Sequence, residues 1–147
     1  MRSVNKVILI GNLTRDPELK NTPNGQPIVT FGIATNREWV TSEKEKKSLA
    51  EFHNIVAWGK LAEICNQFLK KGKLVYIEGY LKTRSWDNEN GTKSFRTEVV
   101  ANDMIILDRD RKDARADAII NEAEAEAMEA DTTQSPPAGD DMLDNLI

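Results

Sequence analysis

The sequence predicts an all-β fold, in which a five-stranded barrel is interrupted by one short helix and followed by a disordered acidic tail. Five segments within residues 4–107 have the apolar pattern of strands, and residues 61–69 have a helical period. The charge also changes along the chain. Residues 1–112 hold 19 Lys+Arg and 14 Asp+Glu, a net +5, whereas residues 113–147 hold 1 and 10, a net −9, which together give −4. This asymmetry is typical of a basic binding domain with an acidic tail.

The first three strands lie before residue 59. Residues 4–13, VNKVILIGNL, are rich in Val, Ile and Leu, which indicates a largely buried strand. Residues 14–27 contain three prolines, which predicts a turn-rich connection. Residues 28–37 alternate between apolar and small or polar side chains and form the second strand. Residues 40–50 are charged, which indicates a flexible loop or an extended hairpin before the third strand at 51–58.

One helix separates the third strand from two long ones. Leu61, Ile64, Cys65, Phe68 and Leu69 share one helical face, and Lys70-Lys71-Gly72 is expected to end the helix with glycine at its C-cap. Residues 74–86 and 93–107 form a long hairpin of strands four and five, with Asn90-Gly91 at its tip. A helix between strands three and four of a five-stranded barrel is typical of the OB-fold. A four-stranded sheet covered by one helix is the alternative.

The tail divides into two predicted parts. Residues 1–112 form the binding domain, and residues 113–139 form a disordered or transiently helical linker. Residues 140–147 form an acidic tip with apolar ends. If the linker forms a transient helix, five of its residues would make a thin apolar stripe along it: Ala116, Ile119, Ile120, Ala123 and Ala127.

Composition argues against several classes of protein. No apolar run approaches the length of a membrane span or the core of a secretory leader. A single cysteine, Cys65, excludes an internal disulfide, and together with the single His53 it excludes the usual zinc sites. A nuclease would need clustered carboxylates or a nucleophile–base pair. His53 lies in a predicted strand and Cys65 on a helix core face, so we expect no catalytic residues, metal or cofactor.

The strand at 74–86 carries an unusual combination of side chains. Its odd-numbered positions begin apolar, whereas its even-numbered positions include Tyr76, Tyr80, Lys82, Arg84 and Trp86. A strand face that packs only on a core needs no cations. Single-stranded nucleic acid needs both types, because its bases stack on aromatic rings and its phosphates attract cations.

Other aromatic residues lie at strand ends or loop margins, among them Trp39, Phe52 and Trp58. The alternative for each ring is that it fills the core or caps the barrel. That alternative is weaker for Trp39 and Trp86, which have polar neighbours. Phe31 and Phe68 lie on apolar stripes and fit a core position, and Phe95 is undecided.

These residues occur in stretches that resemble the bacterial single-stranded DNA-binding proteins. The matching stretches are VNKVILIGNL at 4–13, DP at 16–17, FHNIVAWGKLAE at 52–63, LKKGKLVYIEGYLKTRSW at 69–86 and TEVVA at 97–101. The resemblance implies an OB-fold homotetramer that binds single-stranded DNA without strong sequence preference in DNA replication, recombination and repair. The family's stacking aromatics fall on Trp39, Phe52, Trp58 and Trp86. Its phosphate-contacting cations match Arg2, Lys6, Lys60, Lys71, Lys82 and Arg84.

The resemblance extends to the tail in kind. In the family, an acidic tip ending in Pro-Phe recruits replication and repair proteins, whereas this tip ends in Asn-Leu-Ile. The corresponding candidate residues are Asp140, Asp141, Asp144, Leu146 and Ile147. The family also implies a cytoplasmic, nucleoid-associated location. An RNA-binding or primosome-type OB-fold module stays open as an alternative, since stacking does not distinguish ribose from deoxyribose.

Overall fold

The structure is a computed structural model, and it describes residues 1–108 and 111–133. It contains six strands and two helices: β1 Val7–Leu13, β2 Glu18–Asn21, β3 Pro27–Val40, β4 Lys46–Trp58, α1 Gly59–Phe68, β5 Leu74–Asp87, β6 Lys93–Ile106 and α2 Arg111–Thr133.

Five of these strands close into a barrel. The sheet order is β1-β5-β6-β4-β3-β2, and an additional pairing between β1 and β3 completes the circle. The short strand β2 lies on the outer edge of β3, opposite residues 27–30. β4 and β6 run parallel through the pairs Ile55–Val99 and Val56–Val100, and the other pairs are antiparallel. The predicted OB-fold barrel, with α1 between its third and fourth strands, is therefore confirmed, and the open four-stranded sheet is excluded.

The barrel interior is filled by alternate residues of each strand. Phe31 and Ile33 of β3, Ile55 of β4, and Val75 and Ile77 of β5 have no solvent exposure. The apolar face of α1 closes one end with the residues Ala62, Ile64, Cys65 and Phe68. The predicted glycine C-cap is wrong, because the helix ends at Leu69 in an extended conformation. Gly72, at φ 92°, instead turns the chain toward β5 and donates its N–H to the Leu13 carbonyl at 2.9 Å.

A bulge between β5 and β6 redirects one strand of the barrel. Glu78 pairs with Asp103 but Gly79 pairs with Ala101, so Asn102 is an extra residue. Core-facing residues of β6 therefore change from even positions, such as Met104, to odd positions, such as Val99. A Cβ atom on Gly79 would collide with the backbone carbonyl of Val100, so only glycine fits at this position beside the bulge.

Two connections are more ordered than the sequence predicts. The turn-rich segment 14–27 includes β2, whose four residues pair with β3. The charged segment 40–50 is the extended hairpin of the two predicted alternatives, because β3 and β4 stay paired from Ile28–Trp58 to Val40–Lys46. Both strands thus project beyond the barrel as a two-stranded ribbon, here called the β3–β4 ribbon.

The helix α2 packs on α1 and β6. Ala116 and Ile120 are buried in the core cluster, and Ile119 is partly buried against it, so part of the predicted stripe contacts the domain. The expectation that residues 113–139 are disordered or only transiently helical in solution stays a prediction. Residues 134–139 and the tip at 140–147 lie outside the described residues. Neither described helix has the length and hydropathy needed to cross a membrane.

Candidate nucleic-acid interface

A groove of about 720 Å³ crosses the outer face of the barrel. Its floor includes Ile28 and Thr30 of β3 and Val56 and Trp58 of β4. One wall comes from β2 and the connection before it, and the other comes from the β5–β6 hairpin. Five cations line it, with two acids among them: Arg15, Lys20, Lys82, Arg84 and Arg96, and Glu18 and Glu98.

Three of the four predicted stacking residues lie on groove-facing surfaces. Trp58 lines the groove itself. Phe52 lies on the same face of β4, because side chains at even positions of a strand point the same way. Its ring is 72% exposed. Trp86 shares the face of β5 that carries Lys82 and Arg84, and its indole is also exposed.

Trp39 is placed differently from the other three. It pairs with Lys47, and the register of the β3–β4 ribbon is unbroken from there to the barrel. Trp39 therefore lies on the opposite face of the ribbon from Phe52. The Arg37 guanidinium lies 5.5 Å from the centroid of its ring, a cation–π arrangement.

The six predicted phosphate contacts are dispersed. Only Lys82 and Arg84 line the groove, and Arg84 is bound to Glu98. Lys6 pairs with Glu78 at 2.6 Å on the outer face of β1 and β5. Lys60 pairs with Glu63 at 3.8 Å on α1. The other two, Arg2 and Lys71, are exposed before β1 and in the turn after α1.

The structure adds cations that the resemblance did not assign. Arg96 lies directly opposite Arg84 in the β5–β6 register, and Arg15 and Lys20 line the facing wall. Lys20 is 3.5 Å from Glu18. Arg96 had a sequence signal, since it alternates with Glu98 on a strand. Arg15 and Lys20 lie in the segment predicted as turns, where no periodicity indicates a face.

The Lys6–Glu78 pair belongs to a small polar cluster outside the groove. The Tyr76 hydroxyl donates to the Glu78 carboxylate at 3.1 Å. The hydrogen bond and charge of Glu78 raise the pKa of Lys6, and the hydrogen bonds from Lys6 and Tyr76 lower the pKa of Glu78. Desolvation raises the pKa of Tyr76. The cluster keeps Lys6 engaged with the protein, away from the groove-lining residues.

The single histidine and the single cysteine occupy structural positions. His53 Nε2 lies 2.9 Å from the Thr35 hydroxyl across the β3–β4 pairing. Burial raises the pKa of the Cys65 thiol to about 12, so the thiol stays protonated at neutral pH. A protonated, buried thiol is a poor nucleophile. The predicted tip residues lie outside the described residues.

Residues 4–107 match the model of the Single-strand binding protein family. The chain belongs to this family. It is 52% identical over 107 residues to "Single-stranded DNA-binding protein 1" of Chlorobaculum tepidum, an alignment that covers 72% of this chain and 66% of that relative. The chain thus spans slightly less than two thirds of that relative's length.

Two solved structures of single-strand binding proteins are similar to the barrel. One is a Plasmodium falciparum SSB complex with ssDNA, at a TM-score of 0.68 and 33% identity, covering 74% of this chain and 98% of that one. The other is a deletion mutant of the single-stranded DNA binding protein from Thermus aquaticus, at a TM-score of 0.64 and 29% identity, covering 74% and 52%. The family match includes every strand of the barrel and every groove-lining residue, and it stops before α2.

Proposed function

We propose that this protein binds single-stranded DNA in the groove, without strong sequence preference and without catalysing a reaction. The observation that carries the proposal is the groove itself, in which Trp58 lies among Arg15, Lys82 and Arg96. Family membership supports it, as does the similarity to a complex that contains ssDNA.

Two physical terms account for such binding. Base–aromatic stacking in OB-fold proteins that bind single strands, this family among them, contributes about 1–3 kcal/mol per base. Phosphate contacts add a salt-dependent term with a slope of about −0.7 per neutralised phosphate. Only a single strand exposes the faces of its bases, so stacking selects it over duplex DNA.

The positions of the rings suggest a path for the strand. A strand lying across the groove would pass Phe52 and Trp58 on β4 and then Trp86 on the β5–β6 hairpin. Trp39 would contact DNA only where the strand continues around the edge of the β3–β4 ribbon, because it faces the other way. We therefore expect Trp39 to matter for long strands more than for short ones.

Alanine substitutions of Trp58 and Trp86 test the stacking proposal. Each should weaken binding of an oligonucleotide of about 16 bases, the upper site size of one OB-fold, by about 1–3 kcal/mol. The matched control is Phe95→Ala, since Phe95 is 67% exposed in the same hairpin but pairs with Ser85 on the face away from Trp86. Fluorescence titration at moderate salt measures the affinities. Equal effects of Trp86→Ala and Phe95→Ala would contradict the groove-side assignment.

The RNA-binding alternative makes a different prediction. RNA should displace DNA poorly from a groove that prefers DNA. A protein that recognises RNA through 2′-hydroxyl contacts should instead release DNA readily to RNA. Competition between poly(dT) and poly(U) for the protein separates the two. Preference for poly(U) would replace the DNA proposal with the RNA-binding one.

The proposal includes self-association into a homotetramer. Ile8 and Ile10 of β1 are more than half exposed and face outward beside Tyr76 and the exposed Ile105. Within the described residues, β1 pairs with β3 only at Asn12 and Leu13, so most of that strand edge is open. The number four rests on the family resemblance.

Light scattering tests the tetramer. We expect four chains in solution and one complex with an oligonucleotide of about 64 bases, four times the upper site size of one OB-fold. Ile10→Asp should dissociate the assembly, whereas Leu19→Asp, on the outlying strand β2, should not. A monomeric wild-type protein would overturn this part of the proposal and leave DNA binding untouched.

The wider role that we propose is protection and organisation of single-stranded DNA during replication, recombination and repair, in the cytoplasm on the nucleoid. The acidic tip at 140–147 would recruit partner proteins there. Its support is the charge of Asp140, Asp141 and Asp144 and the apolar ending Leu146-Ile147. Removing 140–147 should abolish capture of replication and repair proteins while the affinity for DNA at high salt stays unchanged.

A further inference from the structure

The groove contains one buried acid, Glu98, in contact with one of its cations. The Glu98 side chain is 7% exposed, and it is the one buried charged residue among those that the structure describes. Its Oε1 lies 2.6 Å from Arg84 Nε, and Arg84 Nη2 donates to Oε2 at 3.3 Å. The contact is thus bidentate, a geometry that fixes the orientation of the guanidinium.

This pairing makes Arg84 a poor candidate for neutralising a phosphate. If Arg84 moved away to a phosphate, it would leave the buried Glu98 carboxylate in the groove lining without its bound cation, which is unfavourable. If it stayed in place, the pair would have a net charge of zero, and the nearby carboxylate would repel the phosphate. Either way, little of the arginine charge is available to the DNA backbone.

Arg84 nevertheless keeps hydrogen-bonding capacity on the groove side. A guanidinium has five N–H donors, and the contact with Glu98 engages two of them. The side chain is 57% exposed and lines the same groove as Trp58. Base edges carry neutral acceptors, which need a donor but no net charge.

Lys82 provides the contrast within the same groove. It lies directly opposite Glu98 in the β5–β6 register, on the same face as Arg84. It makes no ion pair with any residue in the described ranges. No carboxylate in the described part of the chain holds its ammonium group in place, so Lys82 can turn to a phosphate without breaking an ion pair.

Resting on the proposed binding of single-stranded DNA, we infer that Arg84 contacts the bases of the bound strand and not its phosphates, with Glu98 as the residue that positions it. The phosphate contact on this part of β5 is then made by Lys82. This assignment replaces the phosphate role that the family resemblance implied for Arg84.

The test measures how affinity depends on salt for wild type, Lys82→Met, Glu98→Gln and the double variant Arg84→Met/Glu98→Gln, with an oligonucleotide of about 16 bases. Lys82→Met should reduce the slope of log K against log salt by about 0.7, the value for one phosphate. The double variant Arg84→Met/Glu98→Gln removes both charges of the pair, so it should leave the slope unchanged and weaken binding about fivefold at every salt concentration, the net effect of one hydrogen bond. Glu98→Gln should steepen the slope by about 0.7, because it frees the arginine charge.

A strand of abasic sites, which keeps the phosphates and lacks the bases, gives a second readout. At low salt, the loss caused by Lys82→Met should persist on this strand and the loss caused by Arg84→Met/Glu98→Gln should disappear. The double variant is used in place of Arg84→Met alone, because Arg84→Met would leave the buried Glu98 carboxylate without its cation. Thermal unfolding verifies that each variant folds.

The outcomes are distinct. A slope reduced by Arg84→Met/Glu98→Gln as much as by Lys82→Met, or an equal loss on the abasic strand, would overturn the inference while leaving DNA binding established. Failure of the wild-type protein to bind any single strand would instead contradict the proposed function. A slope that is unchanged by Glu98→Gln would show that Glu98 does not neutralise Arg84.

Discussion

Among individual residues, Glu78 shows how a surface pair can stabilise the fold over a defined pH range. Its pKa is lowered, chiefly by the hydrogen bond from Lys6, so its contribution is complete above the ordinary value of 4.5 and is lost as the pH falls through the lowered pKa. The pKa of Lys6 is raised, so its contribution is complete below 10.5 and is lost as the pH rises through the raised pKa. The pair therefore stabilises the fold most at neutral pH.

Replacing this carboxylate tests that dependence. The free energy of unfolding of Glu78→Gln should lie below that of wild type at neutral pH, and the difference should shrink well below pH 4.5. Urea unfolding at the two pH values gives both quantities. Glu89→Gln, in the turn of the β5–β6 hairpin, is the matched control and should show no such difference. A pH-independent difference would mean that the pair contributes through packing alone.

Single residues also show what a strand pattern predicts. Alternation along 74–86 correctly separated Val75 and Ile77, which are buried, from Lys82, Arg84 and Trp86, which face the groove side. It did not predict that Arg84 is paired, because its partner lies 14 residues away on another strand. The pattern within one strand predicts which side chains share a face. The residues that these side chains contact are decided by pairing with strands that are distant in the chain.

At the scale of elements, α2 is a helix whose docking depends on a few contacts. Its sequence is rich in Ala and Glu, and such a helix is marginal without tertiary packing. Ala116 and Ile120 supply that packing, since both are buried against the domain. The persistence of α2 should therefore follow the stability of this contact.

A substitution in the contact should release the helix. Ile120→Ser should weaken docking by about 2 kcal/mol, the transfer free energy of a buried isoleucine side chain, and should speed amide exchange throughout α2. Met128→Ser is the control on the same helix, because Met128 is 73% exposed. If exchange in α2 is as fast in wild type as in Ile120→Ser, the helix is not docked in solution.

Docking of α2 should also respond to pH. The charge of Asp103 raises the pKa of the Glu124 carboxyl, so protonation of Glu124 favours the docked state. Protection of α2 from exchange should therefore increase as the pH falls toward the raised pKa of Glu124. The variant Glu124→Gln should lose this response.

At the scale of the whole molecule, the acidic tail is expected to compete with DNA for the basic domain. Removing residues 113–147 changes the formal charge from −4 to +5, and removing only 134–147 changes it to −1. Like charges on the tail and the DNA repel each other, and salt screens this repulsion. We expect both truncations to bind single-stranded DNA more tightly at low salt, the longer truncation by more, with the differences vanishing at high salt.

Titration of the three chain lengths at low and high salt measures this competition. The barrel should stay folded in each truncated chain, since most of its core residues come from the strands and α1. The helix α2 contributes Ala116 and Ile120 to the buried cluster. Thermal unfolding checks the fold of each truncated chain. Equal affinities of all three chains at low salt would show that the tail does not compete with DNA.

The sequence alone was sufficient for the order of the barrel strands and α1, the buried faces, the division of charge and the mixture of rings and cations on β5. These features depend on local periodicity and composition, which each segment carries by itself. Tertiary structure decided the rest: the bulge beside Gly79, the reversed face of Trp39, the docking of α2 and the pairing of Arg84 with Glu98. Each of these depends on register or contact between segments that are distant in the chain, and such relations are settled only when the strands pair.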